Sequence, residues 1–431
     1  MSNDQLSKAG ITPAARTYSL VLLTVVYMFN FIDRQILSIL VPAIKEEFQV
    51  SDVWMGAMTG TVFVIFYVGL GVPIARLADR WSRRNIIAIA LTIWSGMTAL
   101  SGLAQNFWHM FLARIGVGIG EAGGNPPSHS IIADLYPPER RAAAMGFFSL
   151  GVSMGVMLAF VGGGWVVENI GWRQAFFIVG IPGLLLAVLV RLTLTDPPRG
   201  ASEARTDSGK QPPMKDVVSF LVARKSFLYL AVGAGVSSLV GYALVSWVPA
   251  FVNRSYGLGL AEIGLWLGVI YGIFGGLGFF MGGWFADRIA QRSNRKALLF
   301  IAASTMLGGL LYVIAFMSES VTATFALFAL PSVVSNFYLA TVFAQTQALV
   351  SLRMRAVASS IMLFILNIIG LGLGPLLAGA LSDYLTTGYG ADGLRYSLFS
   401  LTIVMTPIAA ACYFMAAKYI ESDLARATEA D

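Results

Sequence analysis

The sequence predicts an all-α membrane protein with twelve transmembrane helices in two pseudo-symmetric six-helix bundles. Three observations carry this reading. Only 12% of the 431 residues are charged while 57% are hydrophobic, and soluble domains carry about twice that charged share. Apolar runs near the ~20 residues that a bilayer core requires recur from end to end. One long polar interruption, Asp196 to Lys225, divides those runs six and six.

In chain order, the polar segment Met1 to Arg16 leads straight into a full-length apolar run, so no cleavable leader is expected. The spans then read 17–41, 53–75, 86–104, 108–134, 143–167 and 173–194, followed by 227–251, 262–285, 297–317, 323–350, 357–384 and 395–418. Between the sets, Pro197-Pro198 and Pro212-Pro213 resist a continuous helix. The expected organisation is an N-terminal bundle over 1–195, a linker over 196–225 with room for one short surface helix, and a C-terminal bundle over 226–431.

Orientation follows from the basic residues, which mark cytoplasmic loops. One set of loops carries Arg76, Arg80, Arg83, Arg84, Arg140, Arg141, Arg288, Arg292, Arg295, Lys296, Arg353 and Arg355, and the linker adds six more. The opposite loops hold Lys45, Arg173, Arg254 and Arg395. Both termini and the linker are therefore expected to be cytoplasmic, in a plasma or inner membrane. The formal charge of +6 is a topology signal, and no nucleic-acid partner is expected.

Several chemistries are excluded. Cys412 is the single cysteine, which rules out an internal disulfide and a thiolate metal site. Neither a metal nor a cofactor is expected. Gly118-Ile119-Gly120-Glu121-Ala122-Gly123 matches a dinucleotide fingerprint and Gly151-Val152-Ser153-Met154-Gly155 a hydrolase elbow, but both lie in apolar helical runs without the required strand. No set of nucleophile, base and metal ligands suggests an enzyme, and no P-loop suggests a primary pump.

The expensive residues are those charged at membrane depth, which are functional candidates by default. Arg114, Gly118, Glu121 and Asn125 share one face of the fourth span, with the two charges about 10 Å apart. Asp33 and Arg34 lie past the middle of the first span and diverge by about 100°, so they meet different partners. Pairing Asp33 with Arg114 leaves Glu121 within reach of Arg34. Arginine stays charged, so Asp33 and Glu121 are the candidate proton carriers, and Arg34 and Arg114 the candidate head-group ligands. His109 reads as an interfacial residue and His129 as a satisfied polar residue near the inner end of the span. The seventh and tenth spans carry no charge. They offer Ser237, Ser238, Tyr242, Ser246 and Trp247, then Ser332, Asn336, Tyr338, Thr341 and Gln345.

The halves echo each other. Ala75-Arg76-Leu77-Ala78-Asp79-Arg80 follows the second span, and Gly283-Trp284-Phe285-Ala286-Asp287-Arg288 follows the eighth. Parallel six-span halves fit a transporter that rocks about a central site. The first of these loops, continuing through Trp81-Ser82-Arg83-Arg84, resembles the signature cytoplasmic motif of the major facilitator superfamily, with Ala75 and Ser82 in place of its two glycines. Asn30-Phe31-Ile32-Asp33-Arg34-Gln35 and Gly116-Val117-Gly118-Ile119-Gly120-Glu121-Ala122 are similar to the Spinster branch, whose animal members export sphingosine-1-phosphate or lysolipids.

The resemblance implies the major facilitator fold, a functional monomer and a central cavity lined by spans one, four, seven and ten. Its first-half wall would be charged (Arg34, Arg114, Asn125) and its second-half wall aromatic and polar (Tyr242, Trp247, Asn336). It also implies that Asp79, Arg80, Arg83, Arg84, Asp287 and Arg288 form a cytoplasmic latch favouring the outward-open state. In the fifth span the family's antiporter Gly-Pro is replaced by Ala159-Phe160, whereas Gly374-Pro375 stands in the eleventh. The expected function is secondary active transport of an amphipathic, lipid-like molecule by alternating access, coupled to protons, with the surrounding membrane lipids as partners. The alternatives are a carrier of small organic anions such as sugar acids, for which the two arginines serve equally well, and a non-transporting membrane receptor.

Overall fold

A computed structural model of the chain describes residues 11–78, 80–199, 213–351 and 353–428, and every regular element among them is a helix. The chain divides into two compact units. The first comprises 1–50, 62–208 and 259–268; the second comprises 51–61, 209–258 and 269–431.

In the first unit, α1 (Pro13–Phe48) starts where the Thr12 hydroxyl accepts from the Ala15 N–H at 3.2 Å, with Pro13 at the first helical position. Proline is tolerated there because that N–H has no intrahelical partner. α1 ends at Gln49, whose φ of 53° is left-handed and whose N–H donates to the Lys45 carbonyl at 2.9 Å. α2 (52–78) contains one wide π turn at Ala57–Thr61, and its residues from 62 on belong to this unit. α3 (Arg83–Ser101) and α4 (Phe107–Glu121) are capped by the Ser82 and Asn106 side chains. α5 (Asn125–Leu135), α6 (Pro138–Asn169) and α7 (Trp172–Thr193) complete the unit. α1 packs along α6, and α3 lies against α4 and α7.

The apolar run over 108–134 is two helices rather than one. The Gly123 and Gly124 N–H groups donate three residues back, to Gly120 and Glu121 at 3.1 Å, and Pro126-Pro127 then supply no donors to continue the ladder. Glu121 therefore sits at a helix end. Close packing demands glycine just before it: a Cβ on Gly118 would stand 2.7 Å from the Phe63 carbonyl oxygen, and one on Gly120 would stand 2.6 Å from the Trp94 nitrogen. Backbone cannot give as a flexible side chain can. Gly120→Ala is expected to destabilise the protein by about 1–3 kcal/mol, read as a lowered Tm in detergent.

The second unit contains α8 (Met214–Val222), α9 (Lys225–Tyr256), α10 (260–290, with residues from 269 on in this unit), α11 (Asn294–Phe316), α12 (Val321–Val334), α13 (Phe337–Ala348), α14 (355–389) and α15 (Gly393–Thr428). Here too the run over 323–350 is broken. The Ser335 N–H donates to Pro331 at 2.9 Å and the Asn336 N–H to Val333 at 3.2 Å. The halves thus repeat a helix break in the fourth span of each. Further π turns interrupt α10 at Gly268–Phe274 and α14 at Leu366–Leu373. α9 packs along α15 and the π stretch of α14, around a core that includes Phe227, Leu230, Met362 and Tyr413.

Large apolar side chains stand outward in both units, Leu192 at 72% and Phe280 at 74% exposure among them. Helices satisfy their own backbone groups, as hydrocarbon surroundings require. Among the described residues, nine continuous helical stretches are long and apolar enough to cross a membrane, and one of them, 355–426, holds both α14 and α15.

Candidate substrate and coupling site

The charges that the sequence places at membrane depth converge inside the first unit, on facing stretches of α1 and α4. Asp33, Arg114 and Glu121 are fully buried and Arg34 nearly so. Arg34 donates to one oxygen of Glu121 through Nη2 at 2.5 Å and through Nε at 3.2 Å. Three rings surround the guanidinium, with centroids at 4.8 Å for Phe63, 5.0 Å for Tyr67 and 5.2 Å for Phe31. Cation–π contacts in a desolvated setting contribute about 2 kcal/mol or more. This cage offsets part of the cost of burying the cation.

The Asp33–Arg114 pair takes a different form from the sequence expectation. Arg114 Nη1 donates at 3.3 Å to the main-chain carbonyl of Asp33, and no hydrogen bond joins the two side chains. The reason lies in helix geometry: α1 turns Arg34 toward Glu121, which swings the neighbouring Asp33 carboxylate toward Trp94 and Thr98 of α3. Both Asp33 carboxylate oxygens, Arg114 Nε and Nη2, Glu121 Oε1, Asn30 Oδ1 and Trp94 Nε1 lack a hydrogen-bond partner among the described residues. Each orphaned buried group costs about 1–3 kcal/mol. Asp33 faces Trp94 and Thr98, and Glu121 faces Asn30, so several of these atoms are loosely paired with one another, an arrangement suited to receiving a proton.

Beside this cluster lies a crevice too narrow to admit a water molecule, lined by Asn30, Trp94, Asn125, Ser128 and Phe148 among others. Asn125 follows the helix break and donates to the Tyr67 hydroxyl at 3.4 Å, so it touches the same ring that flanks Arg34. The His129 ring meets Phe148 edge to face at 5.3 Å, and His109 sits in the Asn106 cap of α4.

In the second unit, Tyr242 is half-buried on α9. Trp247 is buried, and its indole N–H donates to the Pro375 carbonyl at 2.8 Å, where α14 resumes after its π stretch. Asn336 occupies the break between α12 and α13 and donates to the Ser332 carbonyl at 2.9 Å. The donors of Trp247 and Asn336 thus serve the main chain of their own unit. The buried polar groups along α9 and α12–α13 are hydroxyls and amides, without the charge density of α1 and α4.

Of the expected latch, Asp79 lies outside the described residues. Arg83 is the hub of what is described: its side chain pairs with Asp134 on α5, with Asp196 at 3.0 Å, with Ser130 at 2.9 Å and with the Pro197 carbonyl. Asp196 also accepts from the Ser82 hydroxyl at 2.9 Å. Arg80 is exposed and Arg84 half-buried; in the echoing loop Asp287 is exposed and Arg288 lies over the Trp284 ring at 3.9 Å. Sequence reasoning missed Asp134 and Asp196 as partners of Arg83, and Phe31, Phe63 and Tyr67 as the cage of Arg34. Only the spacing of Phe63 and Tyr67, one helical turn apart, signalled a shared face.

The profile of the Major Facilitator Superfamily matches residues 23–375. An "MFS-type efflux pump" of Mycolicibacterium smegmatis is 33% identical over 406 residues, covering 93% of this chain and 92% of that protein. "Protein spinster homolog 1" of Xenopus tropicalis is 27% identical over 435 residues, covering 94% and 81%. A crystal structure described as a bacterial homolog to the human lysosomal transporter Spinster, inward-facing and unoccupied, aligns with a TM-score of 0.88 at 32% identity, over 96% of this chain and 99% of that one.

Proposed function

Because the chain belongs to the major facilitator superfamily, in its Spinster-like branch, and is a membrane transporter rather than an enzyme, we propose that it carries an amphipathic, lipid-like molecule with an anionic head by alternating access coupled to protons. The carrying observation is the caged Arg34–Glu121 pair beside the orphaned Asp33 carboxylate and Arg114 donors. A protonated Glu121 no longer competes for Arg34, so an anionic head group can take its place on the guanidinium. Proton and substrate then bear on one residue, which is the linkage that coupling requires. The aromatic walls around Arg34 suit an apolar body next to the head.

In this reading both termini and the α8 side are cytoplasmic, the bundles are 1–195 and 226–431, and the protein works as a monomer. Tyr242, Trp247 and Asn336 are the candidate uncharged substrate contacts of the second unit. The latch expected at Arg80, Arg84, Asp287 and Arg288 centres on Arg83, with Asp79 as its further member. The names of the relatives, an efflux pump and spinster homologs, support carriage of a small molecule, and a relative named a probable L-galactonate transporter of Escherichia coli, 27% identical over 285 residues, supports the sugar-acid alternative.

The test is uptake of a lysolipid into proteoliposomes under imposed pH gradients, with a small sugar acid as competitor. Transport is expected to rise with the gradient in the wild type and to become indifferent to it in Asp33→Asn, with the sugar acid competing weakly. A wild-type rate that ignores the gradient would remove proton coupling. Full competition by the sugar acid would favour the organic-anion carrier.

A further inference from the structure

We infer that the end of the second unit where α8, the start of α9 and the end of α15 meet binds anionic phospholipid headgroups. α8 is a short amphipathic helix that buries Val217 and Leu221 while leaving Met214, Val218 and Val222 exposed, one turn apart along a single face. Arg224 follows it directly. The residue is 8% exposed and its guanidinium lies over the Phe220 ring at 3.3 Å; Nη1 donates to the Phe220 carbonyl at 2.8 Å, while Nε has no hydrogen-bond partner among the described residues. Burial pushes its pKa down, which Asp423 opposes and Arg426 reinforces.

Two further cations crowd the same corner. The ammonium groups of Lys225 and Lys418 stand 5.4 and 5.8 Å from the centroid of one ring, Tyr419, which itself stacks on Tyr229 at 5.9 Å. Like charges held on one ring repel unless an anion lies between or beside them. The nearby carboxylate of Asp423 is engaged elsewhere, accepting from the Ser226 N–H at 2.9 Å and its hydroxyl at 2.7 Å, where it caps the start of α9. Exposed Glu421 offsets part of the charge, so Arg224, Lys225, Lys418 and Arg426 leave a positive surplus.

The complementary ligand is a phosphate diester, whose oxygens accept charge-assisted hydrogen bonds from ammonium and guanidinium groups. Its source is a lipid rather than free phosphate because the basic corner adjoins apolar surface that suits acyl chains. Leu228 and Val232, one turn apart on α9, are 41% and 47% exposed, and Phe414 on α15 is 58% exposed. An aromatic and basic rim above an apolar wall is the arrangement found where side chains meet the headgroup layer. The two exposed ammonium groups at the Tyr419 ring and the exposed stripe of α8 all find a partner in one lipid. This site lies outside the Arg34–Glu121 cluster, and its occupancy does not depend on the transported cargo.

Native mass spectrometry of the full-length protein in detergent, titrated with short-chain phosphatidylglycerol or phosphatidylcholine, tests the assignment. Each Lys or Arg near an anionic surface strengthens binding about fivefold. Phosphatidylglycerol is therefore expected to bind at least about tenfold more tightly than phosphatidylcholine. Lys225→Gln with Lys418→Gln, both exposed and safe for folding, should remove that preference, and Arg224→Gln should weaken it. Equal binding of the two lipids, or a preference unchanged in the lysine double variant, overturns the site. Competition by inorganic phosphate as effective as phosphatidylglycerol overturns the lipid assignment in favour of a soluble anion.

Discussion

Glu121→Gln is expected to abolish uphill transport while sparing substrate binding. The amide cannot carry a proton, so the pH gradient loses its handle on the site. Glutamine is also a weaker partner for Arg34, which in the wild type holds the Glu121 carboxylate by two N–H groups. A head group that must displace this carboxylate in the wild type meets less competition in the variant, so its apparent Kd should stay level or fall. Removing one member of a buried ion pair destabilises a protein by about 3–5 kcal/mol. The cage of Phe31, Phe63 and Tyr67 offsets part of that cost, because it solvates the cation independently of the pair. Three readouts therefore separate: uphill accumulation falls to the passive level, substrate-induced thermal stabilisation persists, and the ligand-free Tm drops. A Glu121→Gln protein that still concentrates substrate would remove Glu121 from the coupling step. Loss of all three together would instead indicate a structural pair.

The sequence made the spans legible because a bilayer imposes length and apolarity on the same residues. Each apolar run lies on a helix or a broken pair of helices among the described residues. The break at 122–124 has a sequence signal in Gly123-Gly124 followed by Pro126-Pro127, whereas the break at Ser335-Asn336 shows only in the backbone hydrogen bonds. The π turns at 57–61 and 366–373 escaped notice for a related reason. Their wide turns have no composition of their own.

At the site, buried charge was readable as cost. Asp33, Arg34, Arg114 and Glu121 stood out because each needs a partner at membrane depth. Which partner each takes depends on rotation about α1, and that rotation sent Arg34 to Glu121 but turned the Asp33 carboxylate away from Arg114. The aromatic cage was hidden in plain composition, because Phe63 and Tyr67 look like any other lipid-facing positions of an apolar span. Likewise Asp196 looked like the first residue of a polar linker. Only the fold shows that it closes on Arg83 from 113 residues away.

Arg83→Gln is expected to loosen the point where the linker leaves the first bundle. The wild-type guanidinium ties α3 to α5 through Asp134 and Ser130, and to the linker through Asp196 and the Pro197 carbonyl, while only 2% exposed. A surface ion pair would contribute up to about 1 kcal/mol, but this cation is buried and serves four acceptors. Its loss removes the counter-charge that Asp134 and Asp196 share, at a cost of about 1–3 kcal/mol because both carboxylates are partly exposed. The adjacent Arg199 docks by donating to the carbonyls of Ala78 at 2.6 Å and Trp81 at 3.2 Å. That docking relies on Asp196 and Pro197 being held in place a few residues earlier. Trypsin should therefore cleave after Arg199 faster in Arg83→Gln than in the wild type, alongside a lowered Tm. Asp196→Asn, which keeps the Ser82 hydrogen bond but removes the charge, should show a smaller shift in the same direction. If the latch proposed for this face governs the conformational equilibrium, both variants will also change cysteine accessibility on the two sides of the membrane. Unchanged cleavage after Arg199 in both would mean that Arg83 packs the bundle without positioning the linker.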